Sequence, residues 1–344
     1  MRNVVIWGAG GGLNSILNYF KAIEAIPKDY IIAIVDRDKE KQNLIFSEIK
    51  VISPFELKQI EFDYICISSD VYYCEIEKDI ITNCICDASQ ILNQYQLKMR
   101  VCVSTEYRKR YVDSVYNKKI DYGYEKNKRT IIYSAIIGNY DDLKTPLYVD
   151  PSIKYICFTN NIEIKSDIWD IKYISDESLT NVQLARKIKI MPYKYLDIGD
   201  DIIWVDAKYQ ILSDLRDYVA KYKKMSGMLC FPHFIRNNIC DEMTELIRIY
   251  PEMKQKLIRQ TGRYLLDGFC DNYGLFDTGC LYRDFSSQGI YDLMNDWWEN
   301  VKKYTHRDQI SFPYVCWKNS FHPDICDLMI EDNIYLKVMP HLKR

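Results

Sequence analysis

The run Asn3 to Trp7 (NVVIW) leads directly into Gly8-Ala9-Gly10-Gly11-Gly12, and no other junction in the chain constrains the fold as strongly. After the glycines, Leu13, Ile16, Leu17 and Phe20 recur at spacings of three and four, the mark of a helix with one buried face. A second apolar run, Ile31 to Val35, ends in Asp36, and a further strand is expected from Asp63 to Ser69. Strand, glycine turn, helix, strand, acid is a βαβ unit, which commits this part of the chain to a Rossmann-like parallel sheet.

Glycines at such a turn let the backbone approach a phosphate, and the helix start offers free N–H groups and the positive end of a dipole. Gly8, Gly10 and Gly11 are therefore candidate nucleotide contacts, and Asp36 stands where an acid binds ribose hydroxyls. The G-x-G-x-x-G pattern is incomplete, because its third glycine falls on Leu13. A turn that only packs the helix on the sheet stays open as the alternative. The segment VISPFEL (51–57) resembles the small Rossmann-like domains attached to sugar-modifying enzymes. That resemblance covers about the first hundred residues and implies either a nucleotide-sugar site or an appendage.

Periodicity is lost in the basic, polar stretch that follows. The expected organisation is a domain over 1–100, a linker over 101–129 with one helix near Glu106 to Val115, and a second domain over 130–344. The basic run suits either a solvated face or peripheral contact with an anionic membrane surface. From Arg129 the pattern restarts. Ile131–Ile137, Lys154–Asn160 and Asp201–Ile211 read as strands, and Asn181–Leu196 reads as a basic amphipathic helix. The fold class expected for the whole chain is α/β.

Ligands of such sheets lie beyond the carboxyl ends of the strands, which directs attention to Trp204-Val205-Asp206-Ala207-Lys208. A strand-end carboxylate can hold a hard divalent ion, Mn²⁺ or Mg²⁺, against a diphosphate leaving group. The usual pattern is D-x-D, and here the third position is Lys208, which can itself meet a phosphate oxygen. His233 in FPHFIRNN is the candidate second metal ligand, or a structural histidine. Arg186 and Lys189, three apart on the basic helix, share a face suited to a diphosphate.

A net charge of −2 argues against non-specific nucleic-acid binding. Twelve cysteines without a C-x-x-C pair read as free thiols of a reducing cytoplasm. Met1-Arg2-Asn3 runs straight into a strand, so no secretion signal is expected, and no apolar stretch is long enough to span a bilayer.

Leu275-Phe276-Asp277-Thr278-Gly279-Cys280-Leu281 resembles the F-N-x-G strand of the retaining glycosyltransferase family that includes glycogenin, and His306-Arg307-Asp308-Gln309-Ile310 resembles its D-Q-D segment. Residues 130–320 also resemble a glycosyltransferase-like family that includes the plant mucilage-related TOD/MUCI-type proteins. The landmarks are YSAIIGNYD, CFTN, ARKIKIMPYKYL, IIWVDAKYQI, FPHFIRNNICDE, LFDTGCLYR and WWENVKKYTHRDQISFPYVCWK. The resemblance implies a GT-A-like fold and transfer of a sugar from a nucleotide donor, a UDP-sugar, to a saccharide or lipid-linked acceptor. It implies catalytic roles for Asp308 and Gln309 at the sugar and for Asp277 beside them, with Arg307 anchoring the Asp308 carboxylate. Surface-glycan assembly at the inner face of a membrane is the implied setting. Two rivals remain: a nicotinamide-dependent sugar oxidoreductase or epimerase using the first domain, and a non-catalytic glycan-binding scaffold.

Overall fold

A computed structural model describes residues 3–103 and 128–339, apart from positions 23, 199, 200, 234, 272 and 332. The expected helix near Glu106 to Val115, and with it most of the linker, lies outside the described residues. The described chain forms two compact units, residues 3–103 with 338–339, and residues 128–337.

The first unit is a sheet of six strands in the order β3-β4-β2-β1-β5-β6. They are β1 (Val4–Trp7), β2 (Ile31–Val35), β3 (Ile45–Phe46), β4 (Ile49–Ile52), β5 (Tyr64–Ile67) and β6 (Ile91–Asn93). Only the β3–β4 hairpin is antiparallel. The period of two along β1 feeds two separate cores. Val4 and Ile6 pack with Leu13, Ile16 and Phe20, whereas Val5 and Trp7 pack with Ile65, Ile67 and Tyr73. A strand buried on both faces shows no polar alternation, which is why NVVIW reads as a continuous apolar run. Met339 joins the second of these cores, and Asn93 Nδ2 donates to the Val338 carbonyl, so the chain's last described residues fold with the first unit.

The second unit is a seven-stranded mixed sheet ordered β14-β12-β13-β10-β7-β8-β9. Its strands are β7 (Thr130–Ile136), β8 (Ile153–Thr159), β9 (Asp170–Tyr173), β10 (Asp201–Val205), β12 (Met228–Pro232), β13 (Phe276–Arg283) and β14 (Asp324–Ile325), with the short β11 (Tyr209–Ile211) outside it. β7, β8, β9 and β10 are parallel, whereas β13 runs antiparallel to both β10 and β12. Both units are therefore α/β, as the alternation of apolar runs and amphipathic helices requires.

The basic helix of the sequence spans Asn181–Ile190 and starts at a capping box, with Thr180 Oγ1 accepting from the Gln183 amide and the Gln183 side chain accepting from Thr180 N. It ends at Pro192, which cannot continue the ladder. Between β12 and β13 the register jumps. Cys230 pairs with Leu281 but Phe231 pairs with Asp277, so Thr278, Gly279 and Cys280 bulge away from β12. Gly279 and Cys280 stay tied to β10 and the residue after it: Cys280 faces Val205 and the Asp206 amide donates to the Gly279 carbonyl at 2.8 Å. Gly279 is required there, because a Cβ would lie 2.7 Å from the Tyr209 ring. Trp297 and Trp298 are adjacent on the helix Ile290–Lys303, and adjacent helix positions point different ways, so one of them is expected in the core. Both are buried, since the helix Asp308–Lys318 also packs on this face and Trp297 donates to Ser311 Oγ.

Candidate active site

Because β13 is antiparallel to β10, its first residues lie at the edge where the parallel strands end. Three loops meet the sheet at that edge. After β7, Gly138 adopts φ +79° and its amide donates to Asn160 Oδ1 at 2.8 Å. A Cβ on Gly138 would sit 2.5 Å from the Asn181 amide nitrogen, so the ends of β7, β8 and the basic helix close on one another only through glycine. After β10 comes Asp206, and at the start of β13 come Asp277 and Thr278.

Under this edge lies a buried ion network. Lys189 is 1% exposed; its ammonium donates to Asp308 Oδ2 at 2.6 Å and to Thr278 Oγ1 at 3.0 Å. Thr278 also donates to Asp308 Oδ2, and Arg186 Nε stands 3.6 Å from Asp308 Oδ1. The expectation that Arg186 and Lys189 share a face holds, and what they share is Asp308. Burial alone would raise the Asp308 carboxyl; the charges of Arg186 and Lys189 override it and hold the group well below the usual carboxylate range. The Lys189 backbone is fixed in turn, its carbonyl accepting from Tyr133 Oη at 2.7 Å and Arg283 Nη1 at 2.8 Å. Arg307 does not anchor Asp308, because its guanidinium lies 4.1 Å from the centre of the Tyr250 ring. Residues 307 and 308 diverge where the helix Asp308–Lys318 begins.

Above the network the site is open. Asp206 accepts from the Trp204 indole at 2.6 Å on Oδ1, with Lys189 3.6 Å from the same oxygen, and its Oδ2 has no hydrogen-bond partner among the described residues. Arg186 uses Nε on the His306 carbonyl, leaving its two outer nitrogens without partners among the described residues. Lys208 makes no hydrogen bond or ion pair among the described residues; its ammonium lies 4.8 Å from the centre of the Tyr209 ring. Burial lowers the Lys208 ammonium, but Asp277 and then Asp206 and Glu331 outweigh it and raise the group, so it stays charged. Arg186 is raised likewise, against burial, by Asp308, Asp206 and Tyr140. Among the described residues the edge thus presents two cations with unused donors, and one carboxylate, whose charge both cations feel, with an oxygen that accepts no hydrogen bond.

Asp277 and Gln309 meet each other. Asp277 Oδ1 accepts from the Gly279 amide at 2.7 Å, and Gln309 Nε2 lies 3.5 Å from its Oδ2. His233 follows β12 and is enclosed by Arg236 and Glu242. Its Nδ1 accepts from the Arg236 amide at 3.1 Å, and its Nε2 lies 3.4 Å from Arg236 Nη2 and 3.8 Å from Glu242 Oε2. Burial holds His233 below its ordinary value, against the pull of Glu242. Among the described residues no three His, Cys, Asp or Glu side chains gather into a set able to hold a metal ion.

In the first unit, Gly8, Gly10, Gly11 and Asp36 line one cavity of about 840 Å³ with Ser68 and Lys98. It opens where the strand order reverses at β1, the place for a ligand in such a sheet. Gly8 has φ +108°, and a Cβ on Gly12 would lie 1.9 Å from the Ser68 carbonyl oxygen. The close-packing duty expected of a glycine at position 13 is thereby carried by Gly12, and Leu13 is free to enter the core. Gly10 and Gly11 differ: a Cβ on either meets nothing within 4 Å. Asp36 clips the turn, accepting from the Ala9 amide on Oδ2 at 2.8 Å and from the Asp38 amide on Oδ1 at 2.9 Å. Burial would raise it; these amides and Lys41 bring it below its usual value.

Four contributors were not foreseen from sequence: Thr278, Trp204, Tyr133 and Arg283. The first two were visible as polar atoms beside a strand-end aspartate, whereas the last two act through a helix end that only the folded chain brings near.

Residues 1–92 match a family model described as C2185-like, N-terminal. No curated protein matches the chain. Among solved structures it is similar to UDP-D-quinovosamine 4-dehydrogenase from Vibrio fischeri, with 19% identity over 24% of this chain and 70% of that one, at a TM-score of 0.20. It is similar to the bifunctional glycosyltransferase WbbM, with 11% identity and a TM-score of 0.37, covering 75% of this chain and 52%, about half, of that one. A third is the galactosyltransferase LgtC in complex with donor and acceptor sugar analogues, with 12% identity, coverage of 57% and 72%, and a TM-score of 0.34. Two of these similar structures are glycosyltransferases. Among the described residues no helix is long and apolar enough to cross a membrane.

Proposed function

We propose that the second unit transfers a sugar from a nucleotide donor, a UDP-sugar, to a saccharide or lipid-linked acceptor, in the assembly of a surface polysaccharide such as a capsule or lipooligosaccharide. One observation carries the reading. Lys208 and Arg186 keep donors without partners among the described residues, and both feel the charge of Asp206 at the carboxyl edge of the parallel strands; a leaving diphosphate needs such preorganised positive charge. The Asp277–Gln309 pair lies beside this edge and is assigned to the sugar and acceptor side. Asp308 is assigned the placing of Arg186 and Lys189, because both of its oxygens face cations. The test is a screen of UDP- and GDP-sugars for donor cleavage with saccharide acceptors. Release of nucleoside diphosphate from one donor class is expected. Binding of glycans without cleavage of any donor would move the protein to the scaffold reading.

The first unit is proposed to bind a nucleotide at the Gly8–Gly11 turn. Gly10 and Gly11 support this, since neither a positive φ nor internal packing demands glycine there and both leave their space to the cavity. Gly10→Val is expected to leave the melting temperature within about 1–2 °C, as a substitution that meets no protein atom should. It is also expected to abolish calorimetric nucleotide binding to this unit. The nicotinamide reading returns if the purified protein carries NAD(H).

A further inference from the structure

A divalent ion is what D-x-D transferases use against the diphosphate, and the donor set at this edge does not suit one. Among the described residues three aspartates stand at this edge, Asp206, Asp277 and Asp308, and the charge of Glu331 also reaches Lys208. Both oxygens of Asp277 face donors, from the Gly279 amide and Gln309. Asp308 is buried against Lys189, Thr278 and Arg186. Of these aspartates Asp206 alone keeps an oxygen with no partner among the described residues, and an ammonium already stands 3.6 Å from its other one. A hard cation seeks oxygen ligands and excess negative charge. The cations Arg186, Lys189 and Lys208 already stand among these carboxylates, so an added dication would have to displace them or sit beside them.

We infer that this chain neutralises the donor diphosphate with its own cations, Lys208 and the outer nitrogens of Arg186, in the place a divalent ion takes elsewhere. The inference rests on the reading of this edge as a nucleotide-diphosphate site. Lys208 occupies the position of the second acid of D-x-D, two residues beyond Asp206, and its ammonium is the one group there with no hydrogen bond of its own among the described residues. Arg186 presents a flat pair of N–H donors suited to two phosphate oxygens at once. The inner ammonium of Lys189 is assigned no phosphate contact: it is committed to Asp308 and Thr278 and holds the floor of the site.

The experiment is calorimetric titration of the full chain with UDP, in EDTA and again in Mn²⁺, with every chain carrying Gly10→Val so that the first unit's proposed nucleotide site does not contribute. UDP is expected to bind in EDTA with an affinity close to that in Mn²⁺. Lys208→Ala is expected to weaken binding in EDTA by at least about tenfold, the scale of one hydrogen bond to a charged group. Lys208→Asp restores D-x-D, and its binding is expected to fall in EDTA and recover with Mn²⁺. That recovery is a gain that misfolding does not produce. Binding that requires Mn²⁺ in the chain that keeps Lys208, or Lys208→Ala binding in EDTA unchanged, overturns the inference and leaves the nucleotide reading standing. If UDP binds in neither condition and no other nucleoside diphosphate does, the nucleotide reading fails and takes the inference with it.

Discussion

Asp206→Ala is expected to lower single-turnover donor cleavage by about 10²–10³, or roughly 3–4 kcal/mol, the scale of losing a preorganised charge-stabilising group, because Arg186 and Lys208 lose the carboxylate that places them. Asp206 is the carboxylate at the open edge with an unpartnered oxygen, and it holds Lys189, Arg186 and Lys208 in its field. Its removal takes away the counter-charge that places the two open cations, and it frees the Trp204 indole. The change sits at the surface of the site, so thermal unfolding is expected to move little. Turnover at the wild-type rate, with UDP affinity unaltered, would remove the residue on which the transferase reading turns.

Lys189→Met has the opposite profile. The side chain is 1% exposed and Asp308 is 5% exposed, so the substitution strands a buried carboxylate with only Arg186 beside it. Breaking a buried ion pair by deleting one partner costs about 3–5 kcal/mol, to be read as a lowered urea midpoint at pH 7. The pH dependence has a definite sign. The Asp308 carboxyl lies below its ordinary value in the folded chain, so it contributes stability above the unfolded value of about 4 and loses it as pH falls through that value toward the folded one. In Lys189→Met the carboxyl rises and that acid limb flattens. Lys189→Met with Asp308→Asn removes both charges and is expected to recover a large part of the loss. A wild-type urea midpoint for Lys189→Met alone would show that the network stabilises nothing.

Much of the architecture was legible because parallel strands are short apolar runs and their helices carry one apolar face. NVVIW, IIAIV and RTIIYSAII announce themselves by composition. The strand-end aspartate was legible for a related reason, since the polarity changes at Asp206 where the apolar run stops. What spacing cannot supply is which side of a charged helix turns inward. Lys189 is followed by a buried Ile190 and preceded by a buried Ile188, and the helix sinks its whole last turn beneath β13. A lysine there reads as solvated or ligand-binding until its partner, Asp308, 119 residues on, is seen beside it. His233 has the enclosed, paired surroundings of a structural histidine, and Arg307 was misjudged for the same reason. Their partners Glu242 and Tyr250 lie on or beside a helix, Ile239–Ile249, that gives no sign in sequence of where it docks.

The bulge at Thr278–Cys280 also has a bearing on how such a chain changes over generations. It releases Thr278 to Cys280 from β12 while the strand stays paired with β10 at Cys280 and beyond, and β12 re-engages only at Asp277 and Phe276. Substitutions in β12 opposite the bulge are expected to pass less strain to Thr278 than substitutions in β10. Related chains are therefore expected to hold β10 and the first four residues of β13 constant while the part of β12 facing the bulge diverges.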